Sequence, residues 1–198
     1  EISECLVGSE MCIRDRLSTA QPIRSNDELN LFKEFYLNNR PNVRNYALIC
    51  IGLNSALRIS DVLQLRWEDV YDFKNEHFLK HIIIIEKKTN KETRIAINDN
   101  IKQGLGMYMD SLYNIKKCDY IFNGQKKGKP LSRSQAFRII KKAANELHME
   151  SGISCHSMRK TFGYYAWKCG TPPAILMDIY NHSSYCLLYT SPSPRDTR

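Results

Sequence analysis

A chain of 198 residues, 42% hydrophobic and 25% charged, has the length and balance of one ordinary globular domain and excludes a largely disordered polymer. Its formal net charge of +8 suits a polyanionic partner such as nucleic acid or an anionic membrane. No apolar run approaches the ~20 residues a membrane span needs, and seven cysteines without C-x-x-C spacing favour neither zinc nor a disulfide framework, which fits a reducing cytoplasm.

Taken in chain order, Ser25 and Glu28 have the spacing of a capping box ahead of an apolar-periodic run, Leu29, Phe32, Phe35 and Tyr36. A helix to about Asn39 is predicted there. Pro41 suits the first turn of a second helix through Ala56. Its Ala47, Leu48, Ile49, Ile51 and Leu53 lie on more than one face, which predicts a helix inside the core. Ser60 is expected to cap a short third helix over 61–65. Residues 79–86 and 93–97 read as strands of a hairpin around the polar, basic turn 87–91. Helix is expected again over 98–114, then an extended piece over 120–122, a loop over 123–130 and a helix from the Ser132 cap to about His148. Residues 156–169 form a further helix stopped by Gly170, and Pro172 and Pro173 open a last one ending near Tyr180. The expected class is α+β, a mostly helical domain with one small antiparallel β-sheet.

The two ends read as foreign to this domain. One DNA string, similar to a transposase-type sequencing adapter, translates as residues 186–196 on one strand and residues 6–15 on the other. A natural disordered tail would also accommodate Ser-Pro-Ser-Pro. The expected organisation is a foreign tail over 1–16, a single domain over 17–184 and a foreign tail over 185–198. Without the ends, 25 basic and 16 acidic residues remain, so the basic character belongs to the domain.

Four segments carry residues suited to phosphate chemistry. Arg58 lies in Ala56-Leu57-Arg58-Ile59-Ser60-Asp61, between a buried helix and a short one. A guanidinium there needs an anion or a carboxylate, and in this segment alone a structural pair with Asp61 is the simpler reading. His156 and Arg159 stand three residues apart on one helix face, where ring and fork can meet a phosphate together. Alone, they are a solvated basic helix start. His182, in Tyr180-Asn181-His182-Ser183-Ser184, follows a helix end and by itself is a cap or surface group. Lys88 stands at the hairpin tip with Lys87 and Lys91 as rivals, and by itself is solvated surface.

The order of these segments is more specific than any one of them. An L-R-[IV]-S-[DE]-x-x-x-L segment comes first, a basic hairpin about thirty residues later, H-x-x-R late, and H-S-S about two dozen residues after it. This resembles the tyrosine recombinase/phage integrase family over nearly all of 17–184. The resemblance implies the family's catalytic domain, a largely helical fold with a small sheet. It implies a bacterial or phage enzyme that cuts double-stranded DNA one strand at a time through a 3′-phosphotyrosine, without metal or cofactor. The intact protein would self-associate as a synaptic tetramer in the cytoplasm, with no membrane attachment. Arg58 and Arg159 would clamp the scissile phosphate. His156 would hydrogen-bond it or manage the nucleophile's proton, and His182 would donate to a non-bridging oxygen. Lys88 would protonate the leaving 5′ oxygen, and Asp61 would support the arginines.

The family's tyrosine stands about nine residues after the late histidine; here that position is Ser191. Tyr185 and Tyr189 are at other offsets, so no nucleophile is assigned and the native sequence is expected to stop just short of it. Asn181 stands where the family often has glycine, a small departure because Asn tolerates a left-handed backbone. Many integrases carry a helical core-binding domain upstream, whereas residues 22–28 resemble the opening of the catalytic domain itself. A type IB topoisomerase-like enzyme and a non-catalytic DNA-binding module stay open as alternatives.

Overall fold

A computed structural model of the chain describes residues 20–85, 92–125, 128–149 and 152–180. Ser25 starts α1 (Asn26–Asn38), its hydroxyl accepting from the Glu28 N–H at 3.4 Å. Asn42 caps α2 (Val43–Asn54), accepting from the Asn45 N–H at 3.0 Å, so Pro41 precedes the cap instead of entering the first turn. The expected Ser60 cap is not formed. The chain turns straight out of α2 into α3 (Ile59–Val62), and the Asp61 and Val62 N–H groups close on the Arg58 carbonyl at 2.8 and 3.1 Å. Arg58 therefore holds the N-cap position and the helix begins two residues earlier than predicted.

A 3₁₀ turn (Trp67–Asp69) leads into β1 (Tyr71–Asp72) and β2 (His77–Phe78), an antiparallel pair. β3 (His81–Ile85) and β4 (Glu92–Ala96) form the predicted hairpin, with Ile82 opposite Ile95 and Ile83 opposite Arg94. Then come α4 (Asp99–Asp110), capped by Asn98, and α5 (Arg133–Glu146), closed by the Ser132–Gln135 capping box. α6 (Cys155–Lys168) ends before Gly170, whose φ of +88° is the left-handed turn that stops a helix, and α7 (Pro173–Tyr180) follows. The domain is mostly helical with small antiparallel sheet structure; β1–β2 is a second two-stranded piece that the sequence did not announce.

α2 is the hub. Ala47 to Ile51 are all fully buried, and α1, α4 and α6 pack around them. On one side Leu48 joins Trp67, Ile82, Ile101 and Phe122; on the other Ile49 joins Phe32, Phe35, Ile140 and Met158. Such a helix has no polar face, which is why its sequence showed apolar residues all round. Among the described residues no helix is long and apolar enough to cross a membrane.

Gly104 lets α4 lie against α2. A Cβ there would stand 2.9 Å from the Cys50 Cβ and 3.4 Å from the Ala47 Cα, atoms of a helix enclosed on every side. Alanine gains ~1 kcal/mol over glycine inside a helix, but overpacking a close-packed interior costs roughly 1–3 kcal/mol. Gly104→Ala is expected to lower the urea midpoint. A midpoint at or above wild type would show that the two helices separate without penalty.

Candidate active site

Arg159 lies one turn into α6, half-buried, at a junction of three segments. Its Nη1 donates to the Ala56 carbonyl, in the turn between α2 and α3. Its Nη2 donates to the carbonyl of Tyr180, the last residue of α7, at 2.9 Å. The guanidinium carbon also sits 4.6 Å from the centroid of the Tyr180 ring. Ala56 and Tyr180 are 103 and 21 residues away in sequence, so one side chain ties together distant parts of the chain.

Arg58 is two residues beyond Ala56, exposed at the start of α3, and His156 is exposed in the first turn of α6. The turn that bears Arg58, the helix that bears His156 and Arg159, and the residue two before His182 thus meet around one guanidinium. The N-terminus of α6 adds the partial positive charge of its unpaired N–H groups, a setting that favours an anion. Asp61 accepts from Ser60 Oγ at 3.3 Å. Ion pairs among the described residues include Arg40–Glu146, Arg94–Glu92 and Lys102–Asp99.

Lys88 and His182 lie outside the described residues, as do the two ends read as foreign. The base of the hairpin that bears Lys88 is fixed nearby. The Ile97 N–H donates to the Lys80 carbonyl at 2.9 Å, and Asn98 Nδ2 donates to Asn54 Oδ1 at 2.9 Å, two residues before Ala56. Among the described residues no cluster of His, Cys, Asp or Glu could hold a metal ion.

Two features at this junction have no signal in the sequence pattern. The first is the seat of Tyr180. Its hydroxyl donates to the Arg159 carbonyl at 2.6 Å, and a Cβ on Gly163 would stand 3.0 Å from its ring carbons Cε2 and Cζ. Burial pushes the phenol well above its ordinary pKa, so it stays a protonated donor. The second is a strap formed by residues 20–24. The Ile23 N–H donates to Thr161 Oγ1 at 2.9 Å, Lys160 Nζ to the Ala20 carbonyl at 3.1 Å, and Tyr165 Oη to the Arg24 carbonyl at 3.1 Å. All three partners are on α6.

The model of the Phage integrase family matches residues 24–188. The probable integrase/recombinase YoeC of Bacillus subtilis (strain 168) is 39% identical over 164 residues, which are 83% of this chain and 84% of that protein. The crystal structure of XerA recombinase is similar with a TM-score of 0.69 at 20% identity, over 86% of this chain and 60% of the other. That of the XerH site-specific recombinase bound to its difH substrate, a pre-cleavage complex, is similar with a TM-score of 0.66 at 19% identity, over 86% of this chain and 50% of the other. The chain thus spans half to three fifths of these two solved chains, and at such identities they speak for the fold. With a family model over most of its length, a 39% identical integrase/recombinase and this fold, the chain belongs to the phage integrase family of tyrosine recombinases, whose catalytic domain it represents.

Proposed function

We propose that this domain grips one phosphate of double-stranded DNA between Arg58, His156 and Arg159, and that in the intact protein the grip serves site-specific cutting and rejoining of DNA. The observation that carries this reading is the junction at Arg159, which gathers the turn leading to Arg58 and the end of α7 onto the helix bearing His156. Two guanidiniums set in advance would neutralise charge building on the non-bridging oxygens without reorganising at the moment of reaction. His156, at the positive end of α6, would hydrogen-bond the phosphate. His182 would donate to a second oxygen, Asp61 would orient the arginines, and Lys88, with Lys87 and Lys91 as neighbours, would protonate the leaving 5′ oxygen. The step is an in-line transesterification. A tyrosine hydroxyl gives its proton to His156 as its oxygen bonds to phosphorus, the bond to the 5′ oxygen breaks with the proton that Lys88 supplies, and the phosphoester energy is kept in the 3′-phosphotyrosine, so no nucleotide cofactor is consumed. Association as a synaptic tetramer on DNA, in the cytoplasm of a bacterial host, completes the proposal. The DNA held by XerH supports it by analogy of fold.

Residues 1–16 and 185–198 are foreign sequence in this reading, and Ser191 occupies the family's tyrosine position. The chain is therefore expected to bind DNA without covalent attachment. A library of nicked suicide duplexes tests this. No protein–DNA adduct is expected with the chain, and one is expected when a tail placing a tyrosine about nine residues after His182 follows Ser184. An adduct formed by the unaltered chain and mapped to Tyr185 or Tyr189 would overturn the assignment of no nucleophile.

A further inference from the structure

We infer that Tyr180 is a positioning residue for the phosphate grip, holding the Arg159 guanidinium in place and fixing the end of α7 against α6; this rests on the reading in which Arg159 meets a phosphate. Tyr180 and Arg159 are joined in both directions. Arg159 Nη2 donates to the Tyr180 carbonyl at 2.9 Å, and the Tyr180 hydroxyl donates back to the Arg159 carbonyl at 2.6 Å. Between these two bonds the guanidinium stacks on the ring, its carbon 4.6 Å from the centroid. An arginine side chain loses much rotamer freedom when it is held in one geometry. A flat ring beneath it and a carbonyl at its edge settle most of that ordering before DNA arrives.

The fit is built from both sides. Gly163 stands one turn beyond Arg159 on α6, and any side chain there would collide with the phenol. Tyr180 is 7% exposed and packs with Ala56 and Leu176. Ala56 is the residue whose carbonyl receives the other end of the guanidinium. An aliphatic residue at 180 could fill this apolar slot, but it would offer neither the stacking surface nor the returning hydroxyl. Since Tyr180 is the last residue of α7, the same contacts set where the chain leaves that helix, two residues before His182.

The test uses this chain and a labelled DNA duplex, with affinity measured over a range of salt and thermal unfolding measured alongside. Losing one phosphate contact lowers the slope of log K against log salt by about one. Arg159→Ala is expected to do so. Tyr180→Leu is expected to reproduce that loss, with no further loss in the double variant, because both remove the same contact. Tyr180→Phe keeps the ring and should keep the slope. A wild-type slope in folded Tyr180→Leu would make Tyr180 a packing residue only and overturn the inference, as would a further full unit lost in the double variant. Should Tyr180→Leu fail to fold, Tyr180→Met, similar in bulk but without ring or hydroxyl, is read the same way. An unchanged slope in Arg159→Ala would instead sink the phosphate-grip reading itself.

Discussion

Arg159→Ala is expected to weaken the protein in two separable ways, in stability and in DNA affinity. In stability, it strips the Ala56 and Tyr180 carbonyls of a charged donor and the Tyr180 ring of its stacking partner. Hydrogen bonds to charged groups contribute ~1.5–3 kcal/mol each when buried. Arg159 is only half-buried, and water can reach part of the space it leaves, so roughly 2–4 kcal/mol in total is the expected loss. For a domain of this size that lowers Tm by about 5–15 °C. In binding, a phosphate contact disappears, and affinity falls with a salt slope reduced by about one. Arg159→Lys separates the two effects. Lysine keeps the charge for a phosphate but is a single point donor that cannot span two carbonyls and a ring face. Without the seat that Tyr180 and the two carbonyls give a guanidinium, it should recover only part of the salt slope and little of the Tm. Equal recovery of both would mean that the junction is held by charge alone, and full activity in a cleavage-competent Arg159→Ala protein would remove the arginine from the site.

What could be read from the sequence is what is local. Ser25, Asn98 and Ser132 stand at helix starts because a side-chain oxygen reaches an N–H three residues on, a relation contained within four residues. The all-round apolar stretch of α2 announced a central helix for an equally direct reason. Ser60 looks like a cap by type, but the turn out of the buried α2 fixes the start of α3 at Arg58. The β1–β2 pair was not seen because two-residue strands carry no period. Its turn is held instead by the Asp72 carboxylate, which accepts from the Lys74 and Asn75 N–H groups at 2.8 and 3.2 Å and from Asn75 Nδ2 at 2.7 Å. Those bonds, the Asn75 side chain first, hold its pKa below the usual carboxylate range. Of the site, residue types and order could be read, and the family resemblance gave them roles. The carbonyl of Ala56 and the ring of Tyr180 could not, because a backbone oxygen has no sequence signature and Tyr180 looks like any aromatic at a helix end. The strap at residues 20–24 is a contact across 138 residues, the kind of relation that periodicity and capping rules do not reach.

That strap gives the last large effect. Ile23 is fully buried, and its N–H donates to Thr161 Oγ1, whose own hydroxyl donates to the Ser157 carbonyl at 2.8 Å. One turn earlier the Ser154 N–H donates to Ser157 Oγ at 3.1 Å. A line of hydrogen bonds therefore runs along the buried side of α6 and fixes how far the helix is rolled, hence where His156 and Arg159 lie on its other side. Ile23→Ala removes a packed side chain and is expected to cost about 2–5 kcal/mol. Thr161→Val keeps the shape but leaves the buried Ile23 N–H without its acceptor, expected at about 1–3 kcal/mol. Because the two residues touch, the double variant should lose less than the sum of the single losses. Amide exchange should quicken in the first two turns of α6 and not in α4, whose Ile101 and Leu105 belong to a different core cluster from Ile23. If cutting the chain after Arg24 left both Tm and exchange in α6 unchanged, the strap would be ornament, and the roll of α6 would be set by the core beneath it. If the predicted losses occur, the strap at residues 20–24 fixes the roll of the helix that bears His156 and Arg159, through the Ile23 N–H and its buried side chain.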